Sequence, residues 1–189
     1  MYLMAYIDLG LDETRQPGII GLLAYRPETA RPIEALVDAL LVSPNSLPRG
    51  ERELIAAYVS TLNECTFCRN SHSAFAAAQL DAGMPLVEQV CADPDSAPVS
   101  AKLRALLRIA AAVQLGGRAV TPELITAAHA DGATDVEVHD TVLIAAAFCM
   151  INRYVDGLGT RAPTDPSRYE TRVPAIVARG YSTAGGQGG

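Results

Sequence analysis

Cys65-Thr66-Phe67-Cys68-Arg69-Asn70-Ser71-His72 decides the reading of this chain, together with Glu53 twelve residues ahead of Cys65. As a pattern it is E-x11-C-x2-C-x3-H. Residues three, four and seven apart share one face of a helix. A helix over this stretch therefore points Cys65, Cys68 and His72 the same way. Glu53 is too far back to join that face, so it has to arrive from a preceding helix that turns back against this one. Two thiols, an imidazole and a carboxylate are the parts of a thiol redox site. The thiolate is the nucleophile, and a nearby imidazole and a helix N-terminus both favour it. Asn63 is predicted to cap the helix, with Cys65 in its first turn. His72, one turn beyond Cys68, is placed to take a thiol proton, and Glu53 to orient the imidazole or relay the proton. Cys65 is spaced to close a disulfide once Cys68 is oxidised.

Outward from this stretch the chain is punctuated as helices. Thr29 and Pro32 open one that runs to about Val42. Residues 45–50 are a break, and a helix over 49–62 carries Glu53. The cysteine helix is predicted over 65–82, stopped by Gly83. A short helix follows over 85–91, then another over 100–115 that ends at Gly116-Gly117. Thr121-Pro122-Glu123 opens a further one, ending at Gly132. Thr134 and Glu137 have capping-box spacing and start a long helix toward Gly157. Residues 168–179 read as a weaker helix. No strand alternation competes, so the prediction is an all-α fold of roughly seven to nine helices. Residues 1–181 are predicted to form a single domain, with a disordered Gly-rich tail over 182–189.

Composition agrees. Apolar residues make up 49%, with three Phe and no Trp. Such a chain favours packed helices over a β-sandwich. A net charge of -6 without a basic block argues against nucleic acid as a partner. The N-terminus lacks the pattern of a signal peptide, and the apolar run from Val142 to Ile151 is too short to span a bilayer. It reads as a buried helix in a cytoplasmic protein with no membrane partner. In that compartment four cysteines point to catalysis, metal binding or inert packing more than to a disulfide framework.

From Glu51-Arg52-Glu53-Leu54-Ile55 through Val59-Ser60 to the C-x2-C-x3-H segment, and on to Asn152-Arg153, the chain resembles the AhpD-like peroxidases of the carboxymuconolactone decarboxylase superfamily. The likeness spans roughly residues 15–180 and is closest to the peroxidase-related branch. It implies an AhpD-like multi-helix bundle with the C-x-x-C at the start of a helix. It also implies a peroxidase in which Cys68 attacks, Cys65 resolves, and Glu53 and His72 relay protons. The substrate is then a hydroperoxide, the reductant a dithiol such as a lipoyl or thioredoxin-like protein, and no cofactor is needed. Family members are generally homo-oligomers, so a dimer, trimer or hexamer is expected. Some members carry a His between the cysteines. Phe67 stands there in this chain, which closes a relay through that imidazole. Only the resemblance separates Glu53 from Glu51.

Other readings of the same residues remain at this point. Cys65, Cys68 and His72 supply three zinc ligands, but a structural site needs a fourth, and neither Cys91 nor Cys149 belongs to a second ligand pair. Both read as small core residues. His129 and His139 have no telling spacing, and His139 is predicted to face solvent. Arg153, at the end of a buried run, needs a partner. A decarboxylase-type lyase on the same fold is the rival enzyme. A redox-sensing helical module is the rival without catalysis.

Overall fold

The computed structural model describes residues 4–184. Its helices are α1 (Ile19–Tyr25), α2 (Pro27–Leu41), α3 (Arg49–Leu62), α4 (Thr66–Ala77), α5 (Gly83–Ala92), α6 (Ala101–Leu115), α7 (Pro122–Ala130), α8 (Asp135–Gly157), α9 (Ser167–Glu170), α10 (Val173–Arg179) and α11 (Tyr181–Ala184). No strand occurs among the described residues.

Everything is arranged around α3. Ten of its fourteen residues are buried, and a helix covered on all sides belongs in the core. α4 folds back along it, while α6 and α8 pack on its other sides and on each other. Gly50 lets α3 approach the chain beyond α4: a Cβ there would lie 2.8 Å from the Gln79 carbonyl oxygen. Arg52 is buried as well and donates to the carbonyls of Leu47 and Leu40, at 3.1 and 2.8 Å. A cation so placed satisfies one carbonyl left open at the end of α2 and another in the loop before α3.

The joint between α3 and α4 is tight. The Cys65 N–H donates to the Ser60 carbonyl and the Glu64 N–H to the Thr61 carbonyl, both at 3.0 Å. This is the Schellman arrangement, and its turning residue usually is Gly. Here it is Glu64, at φ +59°. Asn63 consequently ends α3 and does not cap α4. The cap position of α4 falls to Cys65, and Cys68 takes a place in the first turn.

Most boundaries lie within a few residues of the sequence reading. Ser100 caps α6 by accepting from the Leu103 N–H at 3.1 Å. The capping box of Thr134 and Glu137 is formed at the head of α8. α4 ends at Ala77, short of residue 82, and its last turn tightens before Gly83 redirects the chain at φ +59°. The stretch 168–179 divides into α9 and α10, with Pro174 in the first turn of α10. Three short helices, α1, α9 and α11, bring the number above the seven to nine expected. Ser182 to Ala184 belong to α11, and residues 185–189 of the expected tail lie outside the described residues.

Two expectations about α8 are corrected. Its apolar run is only half buried: Ile144, Ala145, Phe148 and Ile151 face the core, while Leu143 and Met150 are exposed. Arg153 is also exposed and donates to the Cys149 carbonyl at 2.9 Å. Asn152, one position earlier, is the buried polar residue. The cause is the helical turn of 100° per residue, which carries neighbours to different faces. No described helix is long and apolar enough to cross a membrane.

Candidate active site

The fold brings Glu53, Cys65, Cys68 and His72 together, because α4 runs back along α3. All four are buried. His72 Nδ1 lies 2.7 Å from Glu53 Oε2. An ionised carboxylate only accepts, so Nδ1 carries the proton and Nε2 is left as an acceptor. Phe75 and Phe148 meet the imidazole edge-on, with ring centroids at 5.4 and 4.5 Å. The ring is thus held in one orientation. Glu51 takes no part. It is half-buried, and burial pushes its carboxyl up against the pull of the Lys102 charge.

Glu53 has a second partner that the sequence reading missed. The Tyr181 hydroxyl donates to Glu53 Oε1 at 2.6 Å. Its ring stacks on His72 at 6.0 Å and 21°. Burial first, and then Glu53, push the Tyr181 phenol well above its ordinary range, so it remains a donor.

Cys65 and Cys68 are free thiols, hydrogen-bonded to each other. The bond to Cys65, burial, and the nearness of Cys65 push the Cys68 thiol well above its usual range. This corrects the expectation of a thiol already favoured as thiolate. The first turn of α4 favours the anion, but the bond to Cys65 and burial outweigh it. Cys68 therefore needs a base. One group does favour its anion: the Asn152 amide. That amide is fixed, since its Oδ1 accepts from Asn63 at 2.9 Å and its Nδ2 donates to Ser60 at 3.1 Å. One turn further along α8, Asp156 hydrogen-bonds Cys65, with burial raising its carboxyl. The i, i+4 spacing of Asn152 and Asp156 was the signal available in the sequence.

Cys68, His72 and Tyr181 face one cavity, lined also by Phe67, Phe75 and Phe148 and by Ile19 and Leu23 of α1. Water-sized occupants have about 50 Å³ there. A water needs roughly 10–15 Å³ on that measure, so the space holds a few water-sized groups. Phe67 is a wall, not a relay. Its ring packs on Gly18, where a Cβ would come within 2.3 Å of it. It also meets Tyr169 at 5.7 Å. The remaining candidates lie elsewhere. His129 Nε2 is 3.3 Å from Asp135, and His139, largely exposed, pairs with Asp140 at 2.8 Å. Cys91 and Cys149 are half-buried and pack against the core. No group of three or more His, Cys, Asp or Glu that could hold a metal occurs among the described residues.

An all-helical protein with a cysteine pair opening a helix, backed by a buried Glu–His pair, defines a class, and comparison with known proteins gives the same class. Residues 27–84, from α2 to the start of α5, match the carboxymuconolactone decarboxylase family. No curated protein matches the chain. Among solved structures it is similar to an alkylhydroperoxidase AhpD core, an uncharacterized peroxidase-related protein from Ralstonia eutropha JMP134. The identity is 26% and the TM-score 0.73, over 85% of this chain and 92% of that one. An uncharacterized peroxidase-related protein from Silicibacter sp. TM1040 shares the fold at 23% identity and TM-score 0.73, over 88% of this chain and 92% of that one. In its fold and in the matched segment the chain resembles the AhpD-like superfamily.

Proposed function

We propose that this protein is a thiol-dependent peroxidase, or disulfide oxidoreductase, acting through Cys68 and Cys65. The observation that carries the reading is the 2.7 Å Glu53–His72 contact, buried beside the cavity that Cys68 enters. His72 Nε2 takes the Cys68 proton, and the Glu53 carboxylate offsets the imidazolium charge. The thiolate attacks the O–O bond of a hydroperoxide, giving a Cys68 sulfenic acid and an alkoxide. The alkoxide takes the proton back and leaves as the alcohol. The Cys65 thiol then condenses with the sulfenic acid, forming the disulfide and releasing water. Asp156, hydrogen-bonded to Cys65, takes that thiol's proton and passes it to the departing hydroxide, which leaves as the water. An external dithiol returns two electrons and two protons. A lipoyl or thioredoxin-like protein in the cytoplasm fits this last role, and the protein works as a homo-oligomer. The likeness to peroxidase-related proteins supports the reading by name.

The test is the division of labour within the pair. Cys68→Ser should abolish peroxide consumption in the presence of a dithiol. Cys65→Ser should react once and accumulate a sulfenic acid that dimedone traps, visible by intact mass. The opposite pattern would reverse the roles. A decarboxylase-type lyase or a redox sensor would show no steady peroxide turnover in the wild type.

A further inference from the structure

The C-terminal segment reaches the site by an anchored route. Arg49, at the head of α3, donates to the carbonyls of Val177 and Ile176 at 2.9 and 3.2 Å, which fastens the last turn of α10. The chain then turns at Gly180, with φ +81°. A Cβ at that position would sit 2.6 Å from Asp38 Oδ1, so the turn requires glycine on both counts. Asp38, from α2, accepts the N–H groups of Tyr181 at 2.6 Å and Ser182 at 3.0 Å. These ties hold the Tyr181 backbone while its hydroxyl extends inward to Glu53.

We propose that Tyr181 is a positioning residue of the proton relay, and that the relay is complete only when Asp38 and Arg49 seat the C-terminal segment that carries it. This rests on the reading of Glu53 and His72 as the base for Cys68. Glu53 has no exposed surface and two oxygens to satisfy. His72 takes Oε2, and Tyr181 takes Oε1. A buried acceptor without a donor favours its protonated form. Tyr181 therefore keeps the carboxylate an acceptor toward His72, which keeps Nε2 free to receive the cysteine proton. The charged and titratable groups around the hydroxyl are Glu53 and Arg49 from α3, His72 from α4, Arg172 just before α10, and Glu34 beside Arg172 from α2. Arg172 and Arg49 act against the burial of the phenol without overcoming it.

Site-resolved alkylation of Cys68 by iodoacetamide as a function of pH tests this without requiring peroxide turnover. Without the Tyr181 hydroxyl Glu53 loses the contact that holds it toward His72, and the pair accepts the cysteine proton less readily. Tyr181→Phe should move the acid limb of the profile upward by about one to two pH units, the worth of one hydrogen bond to a charged group. The plateau at high pH should be retained. Asp38→Ala, which keeps Tyr181 itself, should move the limb the same way. An acid limb at the wild-type position in Tyr181→Phe overturns the proposal, even if the variant melts at a lower temperature. A shift in Tyr181→Phe with none in Asp38→Ala overturns the part played by the segment. If Tyr181→Phe does not fold, Asp38→Ala alone decides: a shifted limb supports the proposal and an unshifted one overturns it. His72→Ala separates the two levels, because an unchanged limb there removes the relay itself.

Discussion

A buried carboxylate between an imidazole and a phenol is costly to leave unpaired, and it governs the consequences of substitutions at this site. Glu53→Gln keeps the shape but supplies an amide that no longer offsets an imidazolium. His72→Ala removes the base and leaves Glu53 with Tyr181 alone, at a cost in stability of about 1–3 kcal/mol. Each should slow the peroxide reaction by about 10²- to 10⁴-fold, the range for a general acid–base group. The double variant should lose less than the product, since the two act as one unit. Stopped-flow kinetics below the melting transition checks this, and full activity in His72→Ala would leave only the cysteines. At this scale the sequence was partly legible. The spacing of Cys65, Cys68 and His72 marked one face. Glu51 and Glu53 could not be separated by residue type, yet two positions on a helix lie about 200° apart, so only one of them can meet α4. Tyr181 was illegible because its partner lies 128 residues away.

At the scale of elements, legibility followed the caps. Thr134 and Glu137 marked the head of α8, and the box is formed there. Thr134→Ala should therefore cost about 1 kcal/mol, or a fall in Tm of roughly 2–4 °C for a chain of this size. Glu137 adds a pH dependence. Burial pushes its carboxyl up, but the Thr134 N–H, Lys102 and Ser46 outweigh burial and hold it below the ordinary 4.5. A depressed carboxyl contributes stability above its unfolded value and loses it as pH falls through its folded one. The stability lost in Glu137→Gln should then be full at neutral pH and narrow below about pH 4.5. A gap that stays constant down to pH 3 in thermal melts would remove Glu137 from the acid response. The joint between α3 and α4 resisted reading for the opposite reason. Its turning residue is Glu64, where glycine is the usual signal. Asn63 suits a helix start by residue type, but its side chain is engaged by Asn152 and Gln114.

At the scale of the molecule, the all-α architecture followed from the spacing of caps and glycines, while the surface between helices did not. α1 shows why. Ile19-Ile20-Gly21-Leu22-Leu23 is too short for periodicity to assign a partner, and in the fold its Ile19 and Leu23 line the cavity that Cys68 faces. α8 leaves a different question. Val136, Leu143 and Met150 stand seven residues apart on its outer face, exposed by 60%, 37% and 48%. Residues at that interval form one stripe, the geometry by which helices of separate subunits pair. The stripe is an apolar surface that the subunit itself does not cover, and the proposed homo-oligomer would bury it. Sedimentation equilibrium at low micromolar concentration should find a multiple of the 19.9 kDa chain mass. The double variant Leu143→Glu, Met150→Glu places two charges on the stripe without touching the core. It should shift the population toward the single chain, with helicity unchanged by circular dichroism. Dissociation with lost helicity would mean that the stripe supports the fold itself. A wild type that sediments as one chain would rule the assembly out, and an oligomer indifferent to both charges would move the interface to another face.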